Sequence, residues 1–236
     1  MEVIMSNYLF ETHLHTAEVS KCSLIKAKDA VRIYRNHEYD GMVVTDHMSD
    51  YNLKDMSGSH TERMDFFLSG YRQAKEEGER IGFQVLLGME LTYDDHPWDT
   101  LVYGIDEQFL YDHKDLTRMP MEEFKKLALS YDLTLVVAHP YRYQDTPPPT
   151  WYVDGVEVFN GNPRHDSRNH LAQRWAKEQG LFQTAGSDYH ELGDDVCGIY
   201  IPALVEDSKA FAKLIREPEA VTLALPEGAL KLNANF

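Results

Sequence analysis

The chain has 236 residues, 43% hydrophobic and 26% charged, with 14 Gly and 10 Pro, which excludes a disordered tail, a collagen-like chain and a low-complexity assembly. Lys and Arg total 23 against 39 Asp and Glu, a formal net charge of -16 at pH 7, and a field of that sign repels nucleic-acid phosphates and anionic lipid surfaces. Neither nucleic acid nor membrane is therefore expected as a partner, yet the same acidic chain carries 11 His, the side chain most often used as a metal ligand and proton carrier near neutral pH.

In chain order, short apolar runs predict strands over Tyr8 to His13, Gly41 to Asp46, Phe83 to Glu90, Asp99 to Gly104, Leu133 to His139, Val153 to Asn160, Leu181 to Asp188 and Gly198 to Pro202. Runs such as Leu133-Thr134-Leu135-Val136-Val137 suggest strands buried on both faces of a largely parallel sheet. Between them, apolar residues at spacings of three and four predict helices. One is faced by Ala27, Ala30, Val31 and Tyr34, and a second by Met64, Phe67, Leu68 and Tyr71, running to about Glu77 and stopping at Gly78. A third carries Phe124, Leu127, Ala128 and Tyr131, a fourth Leu171, Ala172 and Trp175 up to Gly180, and a last one Phe211, Leu214 and Ile215, stopped by Pro218.

Repeated βα units with no Gly/Ser linker point to one α/β domain over 1–236, a closed or nearly closed barrel, with an open doubly wound sheet as the alternative. Gln144 to Trp151, with Pro147-Pro148-Pro149, reads as a stiff surface loop forming a lid or rim, and Val221 to Leu225 as a closing strand or packing tail. Cys22 and Cys197 are too few for a disulfide framework and lack CxxC spacing, which fits a reducing, cytoplasmic setting. Met1 to Asn7 lacks a basic segment leading into an apolar run, and no stretch of about 18 apolar residues occurs, so neither a signal peptide nor a membrane span is expected.

The polar residues fall on this map systematically. The predicted strands end in Glu11-Thr12-His13-Leu14-His15, Thr45-Asp46-His47, Gly88-Met89-Glu90, Ala138-His139-Pro140 and Gly186-Ser187-Asp188-Tyr189-His190, and parallel α/β folds collect their functional groups at the carboxyl ends of strands. His13 and His15, two apart in an extended segment, leave the same face and can grip one ion; Asp188 and His190 repeat that spacing. Imidazoles with carboxylates suit zinc, iron or manganese, and the absence of a thiolate cluster argues for a catalytic rather than structural site. One His at a strand end is ordinarily a satisfied polar residue at a sheet margin, but such residues at the ends of successive strands form a pattern. His37, His60, His113, His165 and His170 fall outside it and read as surface residues.

From Glu11 to about Gly198 the chain resembles the polymerase and histidinol phosphatase (PHP) family, through HxH (His13, His15), TDH (Thr45 to His47), GxE (Gly88 to Glu90), AHP (Ala138 to Pro140) and GSDxH (Gly186 to His190). The resemblance implies a distorted (β/α)7 TIM-like barrel and a site of two or three divalent ions, zinc, manganese or iron, that hydrolyses phosphate esters. Carried over by motif, His13, His15, Glu90 and Asp188 hold the first metal with Glu90 bridging, His47 and His190 the second, and His139 with Glu90 the third. Two positions depart from the family. Where relatives place a second-metal ligand shortly after HxH, this chain reads Ser20-Lys21-Cys22, leaving Glu18 as the candidate and Cys22 as runner-up. Where relatives carry a His at the strand after GxE, it offers Asp99, with His96 just upstream.

Hydrolysis of a phosphate ester requires neutralised phosphoryl oxygens and a source of hydroxide at neutral pH, so the expected nucleophile is a hydroxide bridging two metals, attacking in line. Arg142, three residues after His139, is the candidate phosphate clamp, the alternative being a rim charge. Asn160 is a candidate for orienting substrate, and Arg164 or Arg168 for meeting its phosphate, with Arg168 read rather as a helix-surface charge. The leaving-group proton is assigned to His190, to a metal-bound water or to Asp46, the last of which alternatively orients a ligand His. The expected substrate is a small-molecule phosphate mono- or diester. Histidinol phosphate, a non-catalytic metal-binding role and attack on amides or lactones are the alternatives, whereas DNA proofreading fits the charge badly.

Overall fold

The computed structural model describes residues 7–53, 58–217, 219–227 and 229. Met1 to Ser6 and Pro218, used above for the leader and the last helix stop, lie outside them. In chain order the elements are β1 (Tyr8–Leu14), α1 (Ala27–Asn36), β2 (Gly41–Val44), β3 (His47–Met48), α2 (Asp50–Leu53), α3 (His60–Ile81), β4 (Gln84–Thr92), β5 (Asp99–Tyr103) and α4 (Glu107–Asp112). A 3-10 turn (Leu116–Arg118) leads to α5 (Met121–Ser130), β6 (Thr134–Val137), β7 (Gly155–Asn160), α6 (Asn169–Gln179), β8 (Phe182–Gly186), β9 (Gly198–Ile201), α7 (Ser208–Leu214) and β10 (Thr222–Ala224).

The strands follow the order β10-β9-β1-β2-β4-β5-β6-β7-β8, with β3 extending the sheet beside β4. The barrel nearly closes between β1 and β8: Leu14 bridges Tyr189 in parallel, and the Asp188 amide donates to the His13 carbonyl at 2.8 Å. The result is the distorted α/β barrel expected, but its sheet is more mixed than the apolar runs suggest. β5 runs antiparallel to both β4 and β6, and β9 antiparallel to β1 and β10. The connection from Thr92 to Asp99 is too short for the crossover a parallel partner needs, so β5 returns as a hairpin arm. This reversal brings the amino end of β5, with Asp99, to the same rim as the carboxyl ends of β1, β4, β6 and β8.

At the opposite end the interior is apolar. Phe10, Val43, Leu86, Tyr103 and Val136 meet Phe211 of α7, which stacks at 6.0 Å on Phe10 and meets Tyr103 edge-on at 5.5 Å. Burial of such side chains, each worth about 1.5–3 kcal/mol, plugs the barrel from below and leaves the other end for polar groups.

Helix α3 departs from its expected end. It begins at a capping box, Ser59 with Glu62, and continues through Gly78 to Ile81, where Gly82 at φ 70° closes it. Gly78 is a packing residue, since a Cβ there would lie 2.5 Å from the Phe83 carbonyl oxygen. The short helices α2 and α4 are too brief to show periodicity; Asp106 caps α4 by accepting from the Phe109 amide at 2.8 Å. The Val221 to Leu225 run is the edge strand β10, paired with β9. No helix among the described residues is long and apolar enough to cross a membrane.

Candidate metal centre

Side chains from β1, β3, β4, β6 and β8, or from the residues just beyond them, converge at the polar rim. His13 and His15 do leave one face of β1, and their Nε2 atoms lie 3.1 Å apart. The His13 Nε2 is 3.4 Å from Glu90 Oε2 and 3.5 Å from Asp188 Oδ1; the His15 Nε2 is 3.3 Å and 3.1 Å from the same two oxygens. His47 Nδ1 approaches Glu90 Oε2 at 2.8 Å, and His139 Nε2 approaches Glu90 Oε1 at 3.0 Å.

The far sides of the His13, His15 and His190 rings are engaged. His13 Nδ1 donates to Glu157 Oε1 at 2.8 Å, leaving its Nε2 lone pair for the cluster. Ser20 Oγ donates to Asp46 at 2.7 Å, so its contact with His15 Nδ1 at 3.4 Å is one in which the ring donates. His190 Nδ1 donates to the Asp188 carbonyl at 2.7 Å, which turns its Nε2 outward to Cys22 Sγ at 3.2 Å.

What remains inside suits cations. Glu90 Oε2 is fully buried, has no hydrogen bond of proper geometry, and is surrounded by imidazole nitrogens. An orphaned carboxylate oxygen facing lone pairs is costly unless a positive ion lies between them. Ligand atoms of His13, His15 and Glu90, of His13, His139 and Asp188, of Glu90, Asp99 and His139, and of His15, His47 and His190 each lie within 4.8 Å of one another. These hard and borderline donors fit zinc, manganese or iron.

The electrostatics agree. Burial works to raise the Glu90 carboxyl, but His47 and His13 outweigh it and hold it well below the usual carboxylate range. Burial likewise opposes ionisation of Asp188, and His13, His15 and Arg142 overcome it. Burial lowers both histidines of the HxH pair. Glu157, Glu90 and Asp188 reverse this at His13, whereas at His15 the neighbouring His47 lowers it further.

The backbone is strained where the ligands sit: His139 at φ 30° and Asp188 at φ 50° occupy the left-handed region, at a cost of about 1–2 kcal/mol each for non-glycine residues. Gly186 precedes the second of these because a Cβ there would lie 2.4 Å from the Cβ of His13 and 2.8 Å from Glu157 Oε1.

Other expected site residues are placed differently. Glu18 is turned away from the cluster and accepts the Ala27 amide at 2.9 Å, where α1 begins and backbone donors need a partner. The runner-up Cys22 lies at the site instead; burial raises its thiol, but hydrogen bonds with His190 and His47 bring it down to about 7. Asp99 joins the Glu90–His139 group, while His96 belongs to none of these clusters and lies against Tyr93, ring centroids 4.1 Å apart and planes tilted by 38°. Asp46 is buried and accepts at 2.7 Å from the Thr16 amide, the Thr16 hydroxyl and Ser20, which ties it to the turn after β1; burial lifts its carboxyl to about 6 against those hydrogen bonds.

Arg142 is no exposed rim charge. Its Nη2 lies 2.6 Å from Asp188 Oδ2, 2.7 Å from Asn160 Oδ1 and 3.2 Å from Ser167 Oγ. Asn160 therefore positions Arg142, and its own Nδ2 donates to Glu157. Arg164 is committed elsewhere, in a two-pronged pair with Asp194 at 2.6 and 2.8 Å that steadies the His190 loop. Arg168, read as a surface charge, binds the Tyr141 and Gln144 carbonyls and Asp145, and with Trp98 donating to Thr146 at 3.0 Å it pins the Pro-rich segment as a rim.

Sequence reasoning missed Glu157, Asn162 and the role of Glu11. Glu157 interrupts the apolar Val153–Phe159 run at a fully buried position, a signal that was available. Besides His13, it accepts the His139 amide at 3.0 Å. Asn162 Nδ2 donates to the Asp188 carbonyl at 3.1 Å. Glu11 Oε1 gathers the Thr12, His13 and Ser187 amides at 2.8, 2.7 and 3.0 Å, tying β1 to the turn after β8.

No protein-family profile and no curated protein sequence matches the chain. Solved structures do. A two-domain protein from Bacteroides vulgatus containing a predicted PHP-like metal-dependent phosphoesterase matches with a TM-score of 0.67 at 15% identity over 93% of this chain, which spans 65% of that protein's length. A candidate metal-dependent phosphoesterase from Bifidobacterium adolescentis matches with a TM-score of 0.55 at 16% identity, covering 89% of this chain and 96% of the other. An amidohydrolase from Chromobacterium violaceum, with bound sulfate and no metal, gives 0.56 at 15% identity, covering 92% and 98%. The chain shares the barrel fold of the PHP-like metal-dependent phosphoesterases along nearly its whole length.

Proposed function

We propose that the chain is a hydrolase that uses two or three divalent metal ions to cleave a small-molecule phosphate mono- or diester. The observation that carries this reading is the orphaned, buried Glu90 Oε2 at the meeting point of His13, His15 and His47, with the Arg142 guanidinium 2.6 Å from the neighbouring Asp188. The phosphoesterase neighbours of the same fold support the choice of reaction.

His13, His15, Glu90 and Asp188 would hold one ion, His47 and His190 with Glu90 a second, and His139, Glu90 and Asp99 a third. When bound, such ions neutralise phosphoryl oxygens and acidify water near neutral pH. The chain's own residues do the rest. Glu157 and Ser20 keep the His13 and His15 rings turned with Nε2 inward. Arg142, its side chain only 7% exposed and braced by Asn160 and Ser167, presents a planar, permanently charged group able to bind two oxygens of a phosphoryl group. With Asp46 occupied by Thr16 and Ser20, and the His190 Nδ1 proton held by the Asp188 carbonyl, the leaving-group proton comes from solvent. The ligand set also speaks against a purely structural role, because a decayed site loses ligands and this one keeps them grouped.

The test is a panel of phosphate monoesters, including histidinol phosphate, phosphodiesters, a lactone and an amide, offered to protein whose metal content is measured in parallel. Turnover of a phosphoester is the expected result. Turnover of the lactone or amide alone would replace this reading with attack on carbon.

A further inference from the structure

We infer that Cys22 is a thiolate ligand of the ion held by His47 and His190, which makes this corner of the site selective for a thiophilic metal such as zinc. The inference rests on the metal reading above and adds to it a donor that the His and carboxylate motifs do not contain.

Geometry carries it. Cys22 Sγ lies 3.2 Å from His190 Nε2, and a tetrahedral zinc, with Zn–S about 2.3 Å and Zn–N about 2.0 Å, holds such a pair about 3.5 Å apart. The backbone on both sides of the cysteine is fastened to the site. Before it, Ser20 Oγ bonds Asp46 and accepts the His47 amide at 3.1 Å. The Lys21 amide donates to Asn52 Oδ1 at 3.1 Å. After it, Ser23 Oγ donates to the His15 carbonyl at 3.0 Å and the Leu24 amide to the His190 carbonyl at 2.8 Å. The sulfur is thus delivered by a braced turn.

Two further observations point to an ion there. Glu90 Oε2, wholly buried and lacking a hydrogen-bond partner, is aimed at the same corner, 2.8 Å from His47 Nδ1. The acid nearest in sequence, Glu18, is spent on the first turn of α1. The carboxylates paired with the imidazoles of His47 and His190 are Glu90, 2.8 Å from His47 Nδ1, and the more distant Oδ1 of Asp188, 3.4 Å from His190 Nδ1. On binding, the sulfur releases its proton to solvent and the metal–sulfur bond forms, with no change of oxidation state. A thiolate favours zinc or cobalt over manganese or magnesium.

The chelator-treated full chain loaded with Co(II) tests this. Wild type is expected to show an ultraviolet thiolate-to-cobalt charge-transfer band that is lost in Cys22→Ser, while visible cobalt absorption from the remaining ligands persists. Loss of one ligand is expected to weaken zinc retention at this corner by about a hundredfold, at the upper end of what outer partners alone contribute. Zinc is also expected to shield Cys22 of wild type from a thiol reagent. A wild type that binds cobalt without the band, a band that survives in Cys22→Ser, or thiol reactivity unchanged by zinc would overturn the assignment while leaving the metal site standing. A wild type that binds no cobalt would overturn both.

Discussion

The inner wall of the site and its mouth use the same imidazole chemistry and are braced in opposite ways. On the inner wall, His13 is fully buried and backed by a carboxylate, Glu157, which also takes the His139 amide. At the mouth, His47 has 23% of its side chain exposed, and His190 Nδ1 is backed by the Asp188 backbone carbonyl, to which Asn162 Nδ2 also donates. Either partner fixes the ring's tautomer, but a charged carboxylate behind a ring raises its basicity more than a neutral carbonyl does. The wall is therefore preorganised, and the mouth, where Cys22 sits, is the side open to solvent and substrate.

The largest expected effect falls where wall and mouth meet. Glu90→Gln removes the charge that faces His13, His15, His47 and His139 together and is expected to lower kcat/KM on a phosphoester by about a thousandfold or more. Activity within tenfold of wild type would break the idea of a shared bridge. Next comes Arg142→Ala, with a loss of about a hundredfold that Arg142→Lys restores in part, since lysine keeps the charge and loses the fork. Equal activity of the two variants would remove Arg142 as a clamp.

Glu157→Gln separates wall from mouth. It is expected to weaken metal retention by about 10–100-fold, and Asn162→Ala by less, both measured by competition with a chelator. Asn162→Ala exceeding Glu157→Gln would invert the comparison.

The smallest effect is a stability slope. Burial lifts the Glu11 carboxyl to about 7, against hydrogen bonds from Ser187 and Tyr34. An unfolded glutamate titrates near about 4.3, so across this interval the folded chain keeps a proton that the unfolded chain has lost. The Glu11 contribution is complete below the unfolded value and fades as pH rises through the folded one. Stability of the chelator-treated protein should thus fall over this window by up to about 1.4 kcal/mol per pH unit from this group. Glu11→Gln should flatten the slope, read from denaturant melts at several pH values; an unchanged slope would show that Glu11 is not the group responsible.

Much of this was legible in the sequence because strand ends are local. His13, His15, His47, Glu90, His139 and Asp188 each follow an apolar run, and a barrel brings such ends together whatever the exact pairing. What was not legible depended on packing or on chain reversal. The antiparallel β5 follows from a short connection, and it is what turns Asp99 inward. Glu18 and Cys22 lie four residues apart on one turn, and only the entry geometry of α1 decides which is consumed as a cap. Arg142 and Arg164 look alike in sequence, yet Asp194 captures one and Asp188 orients the other. Gly78 reads as a helix stop because proximity to Phe83 is invisible before folding.

The central claim is that hydrolysis depends on ions held at the Glu90 junction. The most direct measurement is phosphate release by chelator-stripped protein titrated with zinc or manganese, bound equivalents being counted at each point. Stripped protein is expected to release none, activity to grow as the second ion binds, and Glu90→Gln to stay silent under the same loading. Release that is indifferent to metal, or fully loaded protein that hydrolyses no phosphoester, would contradict it.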